Sequence, residues 1–303
     1  AHHNLALVLQ ELGEIKKAIK CFNKLSKIQS NPANAYQNLG KLYVMLGKRK
    51  EAISYYKLAT KYDPENLSHY YNLSDLDEKI LDTNLKKKIN EIIKKNHYKK
   101  KNLAYANFLL SKYELNLKNY EKEFNYLLKG HSYYFKSKEK EYSNDLNYWL
   151  NILPENKELN SINVSHNNTA IVRHDLNPIF IIGVPRCGST LIEKVTASGV
   201  NHIPIGEETG ILDKFIIQKI QKKQLLNLNR ENFKMELFNA YKHKELIQKK
   251  SDYTFTDKSL ENFFYIELIK EIFPNAKVIN CKRNALSSIV SIFQTNLIFQ
   301  GWA

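Results

Sequence analysis

The stretch Asn177-Pro178-Ile179-Phe180-Ile181-Ile182-Gly183-Val184-Pro185-Arg186-Cys187-Gly188-Ser189-Thr190-Leu191-Ile192-Glu193-Lys194 decides the fold of the second half of this chain. Its short apolar run, bounded by Pro178 and Gly183, reads as a buried parallel strand, and from Leu191 onward the composition is helical. The unit is therefore strand, tight loop, helix. Gly183 and Gly188 let the loop backbone turn its N–H groups inward, and the following helix offers its positive N-terminal end, so the segment predicts an anion cradle.

The spacing Gly183-x4-Gly188 comes close to the ATP-binding loop GxxxxGK[ST], but Ser189 stands where that motif has its lysine. A kinase of that type is disfavoured for this reason. The cation lies inside the loop instead, at Arg186, whose planar fork suits two oxygens of a sulfonate or phosphate. A cysteine-dependent phosphatase is excluded, since a thiolate at Cys187 needs an arginine six residues later and position 193 is Glu193.

These residues resemble the 5′-phosphosulfate loop of the sulfotransferase superfamily, which reads PR-S-G-[ST]-T-L. Arg186, Gly188, Ser189, Thr190 and Leu191 match it, while Cys187 replaces the usual serine and its hydroxyl contact. The resemblance implies 3′-phosphoadenosine 5′-phosphosulfate (PAPS) as co-substrate, no metal, and donor contacts from Arg186, Cys187, Gly188, Ser189 and Thr190.

Three later segments follow in the order of that family. Gly206-Glu207-Glu208-Thr209 resembles the GEET segment of tyrosylprotein sulfotransferases, which implies Glu208 as catalytic base, although Gly210 stands where that family has arginine. The plain alternative is an exposed acidic turn. Thr256-Asp257-Lys258-Ser259-Leu260 with Asn262 resembles the DK-P-x-N segment of bacterial tetratricopeptide sulfotransferases, implying that Lys258 stabilises the leaving oxygen; a surface lysine is the alternative. Phe273 to Arg283 reads as helix end, turn and buried strand, followed by a helix from Ala285 to Phe299. It resembles the 3′-phosphate site FPNAK-x-I-x-x-x-R with its serine eight residues on, here Arg283 and Ser291, with Asn284-Ala285 in place of Asp-Pro. Eight helical residues are just over two turns, so Ser291 returns toward the face that Arg283 enters and the pair forms a pincer for one phosphate. The implied catalytic residues are thus Arg186, Glu208 and Lys258. His202 is a further candidate base, but it occupies no matching segment.

In the first half, a shift of 34 residues pairs Leu5 with Leu39 and Leu73, Gly13 with Gly47, Ala18 with Ala52, and Phe22 with Tyr56. Small residues at these points let antiparallel helices approach, Gly13 and Gly47 serve the turns, and Pro64 closes the second hairpin. Leu39, Gly40, Tyr43, Gly47, Ala52, Tyr56, Ala59 and Pro64 resemble the tetratricopeptide repeat. A degenerate hairpin is expected from Ala104 to Gly130, with Asn119-Tyr120 at its turn and Leu109, Tyr113, Phe124 and Leu127 as apolar positions.

The expected organisation is tetratricopeptide repeats over 1–75, a helical extension with the degenerate hairpin over 76–160, a polar linker over 161–176, and a sulfotransferase domain over 177–303. The fold class is α plus α/β: tetratricopeptide-type hairpins followed by a P-loop-like α/β domain. Three strand candidates lie near Ile179–Gly183, Tyr253–Thr256 and Lys277–Cys281, where a doubly wound sheet commonly has about five or six. The domain is therefore expected to be C-terminally incomplete and the chain to be a fragment.

The chain carries a formal charge of +15. Residues 1–170 hold 28 Lys and Arg against 18 Asp and Glu, so most of the excess is on the helical half. Lys86-Lys87-Lys88, Lys94-Lys95 and Lys99-Lys100-Lys101 read first as a solvated face and second as a surface for an acidic partner. No base-reading motif accompanies them, so nucleic acid is not expected as a partner. No apolar run is long enough for a membrane span. Three widely spaced cysteines offer neither a disulfide framework nor a CxxC metal site, and a reducing, cytoplasmic compartment is the simpler expectation. The partner called for is a hydroxyl-bearing acceptor, with the tyrosine of an acidic polypeptide held by the helical repeats as the sharpest candidate. A competing class is a scaffold that binds peptides while its nucleotide domain is inactive.

Overall fold

The computed structural model describes residues 2–11, 13–95, 100–156, 176–199, 202–225, 228–248 and 253–295, in two compact units, 1–139 and 140–303. The expected linker, apart from Leu176, lies outside the described residues.

The first unit is helical: α1 (His2–Glu11), α2 (Ile15–Ile28), α3 (Ala33–Met45), α4 (Arg49–Tyr62), α5 (Leu67–Ser74), α6 (Thr83–Lys95), α7 (Lys100–Asn116) and α8 (Tyr120–Ser137). Gly13 and Gly47 turn the first two hairpins with φ of 76° and 70°, a left-handed conformation that a side chain would disfavour. Ala18, Phe22, Leu39, Ala52, Tyr56 and Leu73 are buried, so the repeat positions form the contacts between helices; Leu5 is half exposed. The degenerate hairpin is α7 packed on α8, with Asn119 capping α8 by accepting from the Lys122 N–H at 3.4 Å. Leu109 and Leu127 are buried in it, Tyr113 is half-buried, and Phe124 is exposed.

The lysine clusters divide. Lys86 donates to the buried Glu114 at 2.8 Å and lies over the Tyr113 ring, while Lys88 lies over the Tyr70 ring. These two therefore serve the fold, contrary to a purely solvated face. Lys87, Lys94, Lys95, Lys100 and Lys101 are exposed, and Lys99 lies outside the described residues.

The second unit opens within α9 (Glu139–Asn147) and holds a parallel sheet of three strands among the described residues, β1 (Asn177–Gly183), β2 (Thr254–Asp257) and β3 (Lys277–Cys281), ordered β2-β1-β3. Phe180 pairs with Asp257 on one side and Val278 on the other. Side chains alternate along β1. Phe180 enters a large core with Phe255, Tyr241 and Ile269, and Ile181 enters a small one with Cys187 and Cys281. Strand β3 forms where expected but is not a buried strand: at the sheet edge, only Cys281 of its residues is fully buried. Tyr148, Trp149 and Leu153, expected in the helical extension, pack on the large core of the second unit because their apolar rings and branches find its surface there. Further α-helices among the described residues are α10 (Ser189–Ala197), α11 (Ile211–Gln221), α12 (Arg230–His243), α13 (Ile266–Ile272) and α14 (Ala285–Thr295).

Candidate active site

The site begins where β1 ends. Gly183 sits so close to β3 that an added Cβ would lie 2.6 Å from the Cys281 carbonyl oxygen, which leaves room for glycine alone. The chain then turns through Arg186 (φ 65°) and Gly188 (φ 96°) into α10, whose first residues are Ser189 and Thr190. The first N–H groups of a helix have no intrahelical acceptor, so this end of α10 presents donors and the positive end of its dipole. A left-handed Arg186 is strained, by about 1–3 kcal/mol for a residue of this kind. Two contacts hold it: Arg283 donates through Nη1 to the Arg186 carbonyl oxygen at 3.0 Å, and Arg186 Nε donates to Ser291 Oγ at 3.1 Å.

A cavity of about 470 Å³ opens over this loop, lined by Arg186, Gly188, Ser189, Thr190, Glu208 and Arg283, with Lys194, Pro185, Leu191 and Leu260 completing the wall. Glu208 faces Lys258, whose Nζ donates to Glu208 Oε1 at 2.8 Å. Arg186, Glu208, Lys258, Arg283 and Ser291 thus come together through direct contacts or a shared cavity. Arg283 and Ser291 do not form a pincer on their own. Both grip Arg186, one through its carbonyl and one through its side chain.

Cys187 departs from expectation. It does not line the cavity; its side chain packs against Ile181 and Cys281, and its N–H donates inside the loop to the Val184 carbonyl at 3.2 Å. An apolar thiol prefers that pocket to the polar mouth. Burial, and then the neighbouring Cys187, push the Cys281 thiol above its ordinary range. His202 is exposed and is not among the cavity residues.

Residues 178–302 match the sulfotransferase family, and residues 1–65 match the tetratricopeptide repeat. The chain thus joins a tetratricopeptide-repeat region to a sulfotransferase-family region. An uncharacterized protein of Aquifex aeolicus (strain VF5) is 32% identical over 132 residues, which are 39% of this chain and 17% of that protein. The Protein CTR9 homolog of Arabidopsis thaliana is 31% identical over 75 residues, 25% of this chain and 7% of that protein. Each match thus spans a small part of the relative's length.

In this sulfotransferase domain the loop that carries Glu208 is fixed by β2 and by the residues just after that strand. Asp257 is fully buried, and its carboxylate accepts from Thr209 Oγ1 (2.7 Å), Tyr241 Oη (2.8 Å), Ser259 N–H (3.0 Å), Ser259 Oγ (2.7 Å) and Asn262 Nδ2 (3.2 Å). Five donors satisfy a buried charge that would otherwise be costly. Burial, followed by Asp257, pushes the Tyr241 hydroxyl well above its usual range, so the phenol stays a donor. Ser259 Oγ also accepts from the Gly210 N–H at 2.9 Å, and the Lys258 N–H donates to the Glu207 carbonyl at 2.8 Å. Ser259 therefore ties the two segments together.

No motif marks Lys194 or Leu260 as wall residues. Lys194 follows Thr190 and Leu191 by four and three residues, the spacing of one helical face, and that periodicity was the available signal. Among the described residues no group of three or more His, Cys, Asp or Glu is arranged to hold a metal ion.

Proposed function

We propose that this domain transfers a sulfuryl group from PAPS to a hydroxyl, with the tyrosine of an acidic polypeptide as acceptor. The observation that carries this reading is a single cavity in which an anion cradle and two arginines face a carboxylate paired with a lysine. The fit to the donor rests on the chain's own groups: the start of α10 and Arg186 offer donors suited to a phosphosulfate, and Arg283 lies at the same mouth for the second phosphate.

In the proposed reaction the acceptor oxygen forms a bond to sulfur while the bond from sulfur to the 5′-phosphate oxygen breaks. The products are a sulfate ester and 3′,5′-ADP. Glu208 takes the hydroxyl proton, and Arg186 with the α10 N–H groups holds the sulfonate oxygens, where preorganised donors contribute most. Lys258 is assigned to the leaving oxygen. An ammonium has three donors, and the bond to Glu208 uses one, so both tasks fit one side chain.

The polypeptide acceptor is supported by the resemblance of Gly206-Glu207-Glu208-Thr209 to tyrosylprotein sulfotransferases and by the exposed lysines of the helical unit, which match an acidic chain in charge. The test is calorimetric titration with 3′,5′-ADP together with transfer of label from sulfur-35 PAPS to tyrosine peptides, acidic and neutral, and to simple phenols. Donor binding and label on the acidic peptides are expected. Binding without transfer to any acceptor would favour the inactive scaffold, and absence of binding would remove the reading.

A further inference from the structure

Glu193 is 1% exposed, one helical turn beyond Ser189, and no cation pairs with it among the described residues. A buried carboxylate without a cation is costly, so its hydrogen bonds must hold it. Both go toward the base. Glu193 Oε1 accepts from the Glu207 N–H at 3.0 Å and from Thr256 Oγ1 at 2.7 Å. Thr256, fully buried, in turn accepts through Oγ1 from the Gly206 N–H at 3.1 Å. Glu207 has a left-handed φ of 53° and directly precedes Glu208, so the bond to its N–H holds a strained residue beside the base.

The consequence is mechanical. Ser189 and Glu193 are four residues apart on one rigid helix, about 6 Å along its axis. The helix that presents the cradle therefore also grips the backbone of the base loop and the end of β2 that leads to Lys258. We propose that Glu193 is a positioning residue that sets Glu208 and Lys258 relative to the phosphate loop. This role rests on the sulfotransferase reading, because it has meaning only if donor and base must meet at fixed separation. Displacement of about 1 Å at such a site costs on the order of 10²-fold in rate.

Full-length Glu193→Leu and Thr256→Val remove the acceptor and the hydroxyl of the strut. Glu193→Gln and Thr256→Ser keep an oxygen at each place. The expected result is a fall in kcat of about 10- to 100-fold in the first pair with the dissociation constant of 3′,5′-ADP unchanged, and recovery of most of that turnover in the second pair. Amide exchange in the peptide covering residues 204–209 should quicken in the first pair alone. Unchanged kcat in Glu193→Leu and Thr256→Val, or a fall matched by an equal loss of 3′,5′-ADP binding, overturns the role. Should Glu193→Leu fail to fold, Thr256→Val against Thr256→Ser decides. If the wild-type chain transfers no sulfuryl group, the sulfotransferase reading fails by itself. Exchange then still decides the strut, and an unchanged rate at 204–209 removes it.

Discussion

Lys258 Nζ lies 2.8 Å from Glu208 Oε1, with the lysine side chain 5% exposed and the glutamate 50% exposed. The pair is asymmetric: the cation is buried and the carboxylate reaches the cavity. A base needs that access to a substrate proton, and a charge stabiliser gains from that burial. Glu208→Gln is expected to lower kcat by roughly 10²–10⁴-fold while 3′,5′-ADP binding persists, since only proton transfer is removed. Single-turnover transfer and calorimetry on the same preparation check it. Equal losses in both would make Glu208 a structural residue.

Arg186 is bonded to Ser291 through its side chain and to Arg283 through its carbonyl. Arg186→Ala should reduce turnover by about 10²–10³-fold, the scale of losing one positioned oxyanion donor. Arg186→Lys is expected to restore part of it at most, because an ammonium cannot reproduce a planar fork. Near-normal kcat for Arg186→Ala would end its assigned role.

Gly40 shows how the helical unit closes. A Cβ there would overlap the ring of Tyr56, which is itself buried. Gly40→Ala is therefore expected to destabilise the protein by about 1–3 kcal/mol despite the better helix propensity of alanine. Urea unfolding at constant m-value is the measurement, and a gain in stability would show that Tyr56 can repack.

His69 is fully buried, and among the described residues neither ring nitrogen has a hydrogen-bond partner; Asp63 Oδ2 stands 3.6 Å from Nε2. Burial lowers its pKa below the ordinary 6.5, partly opposed by Asp63, with Lys41 adding to the lowering. The unfolded chain then binds a proton near pH 6.5 that the folded chain refuses. Stability is complete above that pH and declines as pH falls through 6.5, until the lower folded pKa is reached. A melting-temperature series from pH 7.5 to 5 should show this decline in the wild type and less of it in His69→Phe. Parallel curves would mean another group is responsible.

The exposed lysines of α6 and α7 give the acidic-acceptor reading its test. Acceptor KM should rise steeply with salt, since charges beyond about 10 Å are screened at 0.1 M. Replacing Lys94, Lys95, Lys100 and Lys101 with glutamine should raise KM for an acidic peptide and flatten that salt dependence. An unchanged KM would separate these lysines from acceptor capture.

By itself, the sequence determined what is local or periodic. The 34-residue repeat implied hairpins because each helix must place small and large residues at matched heights, and the run from Ile179 to Leu191 implied strand, loop and helix from its apolar length, its glycines and its composition. The motif residues Arg186, Glu208, Lys258, Arg283 and Ser291 were legible for the same reason, as short patterns with fixed spacing. Only the tertiary structure decided who touches whom. Glu193 meets Glu207 and Thr256, Asp257 gathers donors from four side chains and one backbone N–H, and Ser291 binds Arg186 across 105 residues, because the strand order β2-β1-β3 lays distant segments side by side. A hydrogen bond depends on ångström separations that chain spacing does not encode. For the same reason Cys187, though inside the motif, turned to the apolar pocket beside Cys281: its backbone place was local, while the direction of its side chain was set by the neighbouring strand.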